Sequence, residues 1–337
     1  MQRSVLPEVA EAFADVYKDY EMFGHSKTAS DQINFSPSGA PEGRTLKILK
    51  FIDGKLSKKP SSVLDMGSGS GAGLIALAHQ FPSASIYGFE PNDKPAERQK
   101  HLPDNVVSIL NQRPTPEKKY DVITLFHVFE HIEDLDELLA FIASALSPKG
   151  QLLIQVPYPI CGAFDFVIAD HIWHFTKKSM LTLLNRAGFS TVYIGNDVIE
   201  KELTVLATPG APVDTSLLYE NETQQVLDAV QWLVRYKAFL DGLKGRANSF
   251  AIYGTGPAAA WVGHVLGDSV FAYLDDDAAR VNSTFNAKPV LSPREIASSM
   301  PVIAPFPDYQ AQWIAEKNKE LNIVTACGYA ISNAASG

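Results

Sequence analysis

The sequence predicts an α/β fold made of two parallel-sheet units, and three features carry that expectation. From Ser61 onward, apolar runs of strand length alternate with segments of helical apolar spacing, the pattern of a parallel sheet covered by helices. The stretch Val63-Leu64-Asp65-Met66-Gly67-Ser68-Gly69-Ser70-Gly71-Ala72-Gly73 stops an apolar run at an acid and then opens into alternating glycines. It reads as strand, tight loop and helix start, because the glycines permit φ > 0 and close backbone approach. Phe250-Ala251-Ile252-Tyr253-Gly254-Thr255-Gly256-Pro257-Ala258-Ala259 repeats that plan later in the chain.

In chain order, residues 1–58 are expected to form an N-terminal helical cap. Val9, Phe13, Val16, Tyr17 and Tyr20 recur at helical spacing, and a second helix runs from Gly43 to Leu56. Between them, the polar stretch Ser26 to Pro41 is either a lid over a ligand or a connector. Residues 59–212 hold a seven-strand sheet, with strands near 61–66, 84–90, 106–110, 120–128, 150–157, 190–195 and 201–209. A helix at about 176–187 ends in Ala187-Gly188.

Residues 213–247 read as a helical linker, in which Leu217 to Leu243 places Val226, Leu227, Val230, Leu233 and Leu240 on one side before Gly245. Residues 248–337 form a smaller C-terminal α/β domain. Its strand Val270 to Leu274 ends at Asp275, Asp276 and Asp277, and strands at 301–305 and 322–326 flank a helix at about 308–320. Both units are expected to be Rossmann-like.

Composition narrows the function. A chain of 337 residues with 46% hydrophobic and 20% charged residues buries a sizeable core, which excludes general disorder. The net charge of −9, without a basic stripe, argues against nucleic-acid partners, whose phosphates demand cations. Cys161 and Cys327 form no C-x-x-C pair, so neither a disulfide framework nor a thiolate zinc site is indicated. The N-terminus lacks a basic start with an apolar core, and no run approaches the length of a membrane span. A cytoplasmic protein acting on a small molecule, away from membranes, is the expectation.

The first glycine loop satisfies G-x-G-x-x-A through Gly67, Gly69 and Ala72, a spacing shared by several nucleotide sites. Asp65 separates them: a carboxylate at the strand's end disfavours a pyrophosphate and favours a ligand with cationic groups. S-adenosylmethionine carries a sulfonium and an ammonium and no phosphate. At these residues the chain resembles the class I S-adenosylmethionine-dependent methyltransferases, whose first motif has this acid and these glycines. The resemblance implies that Asp65, Gly67, Ser68, Gly69 and Gly71 border the methionine part of the cofactor, with S-adenosylhomocysteine as product. Ile86-Tyr87-Gly88-Phe89-Glu90 ends in an acid 23 positions after Gly67, followed by Pro91, where a ribose-binding carboxylate belongs in a βαβ unit.

Tyr120 to Val128 runs as a strand toward Glu130 and His131. His127-Val128-Phe129-Glu130-His131 spells H-x-x-E-H, but the first histidine belongs to a strand end and the sequence offers no third ligand, so no metal is expected. Similar letters occur in methyltransferases that the chain resembles, which implies that Phe126 and His127 line the cofactor pocket. Glu130 and His131 equally suit a structural role at the turn.

Phe164 to Thr176 follows the fifth strand, and Thr176 is placed to cap the next helix. Asp170 beside His171, with His174 three residues on, offers a base near neutral pH. This loop resembles that of the sugar C-methyltransferases, which carry Tyr-His-Glu-His there. His171 then matches the family's catalytic histidine and Asp170 its acid, while Ile168 stands at the tyrosine position. The N-terminal zinc module of that family is replaced by the helices of residues 1–58. With the tyrosine gone, O-methylation is as consistent with the loop as C-methylation.

The second loop lacks an acid and so suits a phosphate at a helix N-terminus. Asp275 lies 21 residues after Gly254, again the ribose position. A nucleotide-sugar contacting Gly254, Gly256 and Asp275, an NAD, or no ligand at all fits this unit. The expected function is S-adenosylmethionine-dependent methyl transfer to a sugar or nucleotide-linked sugar. Two other classes remain open on the residues alone: an NAD-dependent oxidoreductase using the C-terminal unit, and a non-catalytic S-adenosylmethionine-binding protein.

Overall fold

The computed structural model describes residues 2–3, 33–34, 42–91, 102–214, 221–245, 250–278, 280–306 and 308–324. The expected first helix with Val9, Phe13, Val16, Tyr17 and Tyr20, most of Ser26 to Pro41, and Cys327 lie outside the described residues. Contacts divide the chain into two compact units, residues 1–159 with 170–222 and residues 160–169 with 223–337.

The first unit is built on seven strands: β1 Ser62–Met66, β2 Ser85–Phe89, β3 Val106–Leu110, β4 Tyr120–Phe126, β5 Leu146–Pro157, β6 Phe189–Gly195 and β7 Glu202–Pro209. Their spatial order is β6-β7-β5-β4-β1-β2-β3. All neighbours are parallel except around β7, which runs antiparallel to both β5 and β6. Seven strands were expected, and each forms close to its expected position. The strand order turns back between β1 and β4, and such a switch point opens a crevice at the strands' carboxyl ends.

The helices of this unit are α1 Arg44–Asp53, α2 Ala72–Gln80, α3 Leu135–Ala145 and α4 Lys177–Arg186. Ile48, Leu49 and Ile52 of α1 and Leu74 and Leu77 of α2 pack with Val63, Ile86, Val122, Leu153 and Leu206 of the sheet in one buried cluster. Burial of both faces explains why β1, β4 and β5 read as nearly continuous apolar runs. Thr176 caps α4 as its sequence implied: its hydroxyl accepts from the Ser179 N–H, and the Ser179 hydroxyl accepts from the Thr176 N–H. Glu222 adds a second cap. Its buried carboxylate accepts from the Lys177 and Lys178 N–H groups at 3.0 and 2.8 Å and from the Tyr158 hydroxyl at 3.2 Å.

The second unit has a six-stranded sheet of β8 Phe250–Tyr253, β9 Val270–Leu274, β10 Thr284–Phe285, β11 Lys288–Leu291, β12 Pro301–Ile303 and β13 Asn322–Val324, in the order β10-β11-β9-β8-β12-β13. The β10–β11 hairpin was not foreseen. It closes through Asn286 and Ala287, both at positive φ, with no glycine to mark the turn. Helices α5 Glu222–Leu243, α6 Pro257–Leu266 and α7 Asp308–Lys317 accompany the sheet.

Two expectations need correction here. The segment 213–247 is not merely a linker, because Ala229, Trp232, Leu233, Tyr236, Leu240 and Leu243 of α5 are buried in the second unit's core. Its buried face is also rotated from the expected one: Leu227 and Val230 are exposed because the aromatic pair Trp232 and Tyr236, stacked with centroids 5.0 Å apart, turns inward. Moreover, residues 160–169, expected in the first domain, belong to the second unit, where Phe164 packs edge-on against Trp232 and Tyr236 at 5.4 Å.

Replacing Glu222 with Ala should cost about 2 kcal/mol, since two N–H groups and a phenol lose a charged acceptor. A lowered urea midpoint is expected for Glu222→Ala, with a smaller loss for Glu222→Gln. An unchanged midpoint would show the cap to be without weight.

Candidate functional site

The loop after β1 turns under strict steric control. Gly67, Gly69 and Gly71 have φ of 74°, 48° and 90°, the left-handed region that favours glycine. At Gly67 a Cβ would also sit 2.3 Å from Val128 Cγ2. The Gly67 and Ser68 N–H groups both donate to the Phe89 carbonyl, at 2.7 and 3.0 Å, and the Gly69 N–H donates to Glu90 Oε2 at 2.8 Å. Glu90 thus stands beside the loop, as its spacing implied. Pro91 is exposed just beyond it. The second unit repeats the first bond of this plan: the Gly254 N–H donates to the Leu274 carbonyl at 2.6 Å.

Asp65 is buried at the end of β1. Thr124 donates its hydroxyl to Asp65 Oδ1 at 2.6 Å, and a Cβ on Gly73 would stand 2.8 Å from Asp65 Oδ2. Gly73 therefore lets the carboxylate lie against the first turn of α2, where the helix N-terminus favours negative charge. Burial, outweighing the Thr124 bond and helped by Glu90, pushes the Asp65 pKa from 3.8 up to about 7. Ser68 Oγ is buried and has no hydrogen-bond partner. A carboxylate short of a counter-charge, an orphaned hydroxyl and a glycine cradle are what a cationic, hydroxyl-bearing ligand such as S-adenosylmethionine fits.

Beyond β4 the chain carries a buried line of charge. His127 takes φ 54°, a rare conformation for a side-chain-bearing residue, and its N–H donates to the Gln155 carbonyl. Its Nδ1 lies 3.3 Å from Glu130 Oε1 and its Nε2 3.3 Å from Glu202 Oε2. Glu202 also meets Arg44 Nη1 at 3.2 Å and accepts from Gln155 Nε2 at 2.7 Å, while Thr204 donates to Gln155 Oε1. Burial and Arg44 press the His127 pKa down, yet Glu202 and Glu130 hold it above the ordinary value. Against burial, Arg44 and His127 keep Glu202 well below the usual carboxylate range, and the histidines around Glu130 lower its pKa too. Phe126, one residue earlier, packs into the sheet core.

The loop 170–174 lies against the Phe129–His131 turn. The Ile172 N–H donates to the Glu130 carbonyl at 2.9 Å, and Trp173 Nε1 donates to the Ile132 carbonyl at 2.8 Å. His171 is buried, its ring edge-on to His131 with centroids 4.8 Å apart. Asp170, adjacent to His171 in the chain, pairs with His131: Asp170 Oδ2 is 3.3 Å from His131 Nδ1, and the Asp170 carbonyl is 2.9 Å away. His174 is buried in a two-residue strand that pairs with Gln2–Arg3.

The structure therefore brings His171 and Asp170 together with Glu130 and His131, whose role the sequence left between pocket and turn. Glu202, Arg44, Gln155 and Thr124 were not foreseen as part of the site. A polar Gln155 and Thr204 inside otherwise apolar strands were the available signal for them.

Residues 42–194 match the family model of a methyltransferase domain. Methyltransferase str3 of Strobilurus tenacellus is 33% identical over 116 residues, which cover 32% of this chain and 41% of that protein. Demethylmenaquinone methyltransferase of Deinococcus radiodurans is 26% identical over 198 residues, 56% of this chain and 75% of its own length. Among solved structures, the plantazolicin methyltransferase BpumL, in complex with a triazolic desmethylPZN analog and SAH, aligns at a TM-score of 0.45 and 17% identity over 60% of this chain and 94% of that one. The match with the first of these relatives thus spans less than half of that protein's length. The methyltransferase-domain match thus covers residues 42–194, under half of the chain. That region contains both the glycine loop and the His171 cluster.

Because Asp65 is held protonated to about pH 7 against 3.8 when unfolded, its ionisation opposes folding, and the stability tied to its neutral form is lost as pH rises through that window. Asp65→Asn keeps a group that can accept from Thr124 and carries no charge. The variant should therefore melt above the parent at pH 8, with the difference vanishing near pH 4. A variant melting below the parent at pH 8 would contradict a carboxylate whose charge burial disfavours.

Proposed function

We propose that the first unit holds S-adenosylmethionine through Asp65, Gly67, Ser68, Gly69, Gly71 and Glu90, lined by Pro91, Phe126 and His127, and methylates a hydroxyl of a small polar acceptor, a sugar or nucleotide-linked sugar. The observation that carries the reading is Asp65: a buried carboxylate with a raised pKa, at the end of β1 beside a glycine cradle, gains from a cationic ligand the counter-charge it lacks. When bound, S-adenosylmethionine supplies an electrophilic methyl group. Glu90 has a carboxylate to accept from ribose hydroxyls while it also receives the Gly69 N–H.

The acceptor's proton leaves at the cluster of His171, His131 and Glu130, with His171 as the candidate base, Asp170 orienting His131, and His174 at the same loop. Oxygen is favoured over carbon as the methylated atom because Ile168 occupies the position of the tyrosine that C-methylation uses in the enzymes whose loop this one resembles, and Ile168 lies in the segment assigned to the second unit. The sugar reading rests on that loop resemblance.

In the second unit a nucleotide is the companion reading. Gly254 has φ 93°, the N-terminus of α6 has no side-chain cap, and Arg280 Nη1 stands 2.9 Å from Thr255 Oγ1, which supports a phosphate there. A cleft of about 370 Å³ lined by Asp275, Asn282, Ser292 and Arg294 adjoins this end of the sheet. Asp275 already accepts from Thr255 at 2.6 Å and pairs with Arg280 at 3.4 Å, which weighs against NAD, whose ribose would need that carboxylate.

The test is a pair of variants. Glu90→Ala should weaken S-adenosylhomocysteine binding roughly tenfold or more, the scale of a lost charged hydrogen bond. His171→Ala should leave that affinity within about twofold while methyl transfer to a hydroxylated sugar falls by roughly 10²–10⁴-fold. Unchanged turnover in His171→Ala would remove its role, and unchanged affinity in Glu90→Ala would move the cofactor site.

A further inference from the structure

We propose that Glu130, His131 and His171 form a binding site for a divalent first-row transition metal, with Zn²⁺ as the representative ion, in the turn that follows β4 and the loop locked against it. Each residue offers one ligand atom, and the three atoms lie within 4.8 Å of one another. A cation bonded at about 2 Å to each would draw them to separations of about 3.3 Å, a shift within reach of side-chain torsions. Two imidazoles and one carboxylate with open positions are a donor set for zinc and its neighbours in the row, not for magnesium, which prefers oxygen alone.

Two observations point to a missing cation. Glu130 is fully buried, and neither of its carboxylate oxygens has a hydrogen-bond partner. Its contact with His127 Nδ1 at 3.3 Å lacks hydrogen-bond alignment. A buried carboxylate left in that state is costly unless a positive charge meets it. The second observation concerns His131. The Asp170 carbonyl 2.9 Å from Nδ1 can only accept, so Nδ1 is the donor and Nε2 is the ring nitrogen left to face a ligand. Asp170 Oδ2 at 3.3 Å from the same Nδ1 completes the outer-shell pattern of carboxylate, imidazole and metal.

The surrounding charge agrees. Glu130, Glu202 and Asp170 are all buried, and Arg44 is the cation paired with Glu202. The two segments that bear the ligands are already fastened by the Ile172 N–H to the Glu130 carbonyl and by Trp173 to Ile132. The H-x-x-E-H letters are thus used differently from their usual reading: His127 turns toward Glu202, and His171 from the later loop stands in its place as the third ligand that the sequence did not reveal.

Resting on the methyl-transfer reading, the site gives the cluster its chemistry. In the metal-free chain His171 is the base of that reading; with the ion bound it would be a ligand, and an acceptor hydroxyl at an open position would lose its proton to water more readily.

The full-length chain, stripped with a chelator, is titrated with ZnCl₂ by calorimetry and, with ¹⁵N-labelled histidine, followed by NMR. One equivalent is expected to bind at micromolar Kd or tighter, shifting ring nitrogens of two of the eight histidines. Glu130→Gln and His171→Asn should each weaken binding by more than the roughly 10–100-fold that loss of an outer-shell partner costs. His79→Ala, on the exposed face of α2, should leave it unchanged. Absence of saturable binding, shifts confined to histidines other than His131 and His171, or undiminished affinity in the variants would overturn the site. The labelled parent chain decides the matter even if a variant fails to fold. Asp65→Asn should retain Zn²⁺ binding, so loss of the cofactor reading and loss of the metal site register as separate results.

Discussion

His127 sits between two buried carboxylates, 3.3 Å from Glu130 on one side and 3.3 Å from Glu202 on the other, at the point where the fourth strand of the first sheet ends. Glu202 is tied in turn to Arg44 at the start of the first described helix and to Gln155 inside the longest strand. A line of charge this deep is costly wherever a member lacks a partner, because a charge taken from water without one costs several kcal/mol. That requirement fixes neighbouring features: the left-handed backbone at His127, the Gln155 and Thr204 side chains set in otherwise apolar strands, and the attachment of the 170–174 loop to the turn at Glu130.

Asp65 shows the same tension one strand away. The sheet, the Thr124 hydroxyl and the cleared space over Gly73 hold a carboxylate where burial works against its charge. Stability alone would favour an amide or an apolar residue there, and a cationic ligand reverses the preference. The glycines serve the same end: three alternate left-handed positions shape a loop whose N–H groups meet Phe89 and Glu90, and at Gly67 no side chain fits beside Val128. The second unit repeats the strand-to-loop bond at Gly254 but replaces the buried acid with a half-buried Arg280–Asp275–Thr255 set, which suits a different ligand.

Much of this was legible in the residues. The apolar runs located all seven strands of the first sheet, since strands buried on both faces leave little ambiguity, and Thr176 and Gly188 marked the ends of the helix between them. Asp65, the glycines and Glu90 were legible because a strand end, a turn and a second strand end are local events. What escaped the sequence depends on distant pairing. Asp170 is next to His171 in the chain yet its carboxylate meets His131, and Glu130 gains His171 from a loop forty residues on. The capture of residues 160–169 by the second unit likewise depends on Phe164 finding Trp232 and Tyr236, aromatic contacts that periodicity cannot announce. The helix carrying Trp232 misled for the same reason: counting aliphatic residues chose one face, whereas the larger aromatic surface decided the other.

The central claim, that Asp65 is a buried acid awaiting a cation, is tested most directly by proton release. Calorimetric titration with S-adenosylhomocysteine at pH 7, repeated in buffers of different ionisation enthalpy, should register net proton release on binding, because burial raises the Asp65 pKa to about 7 and the group must ionise against the ligand's ammonium. The release should vanish in Asp65→Asn. Tight binding with no buffer dependence would contradict the account, since the carboxylate would then be charged before the ligand arrives or remain neutral after it.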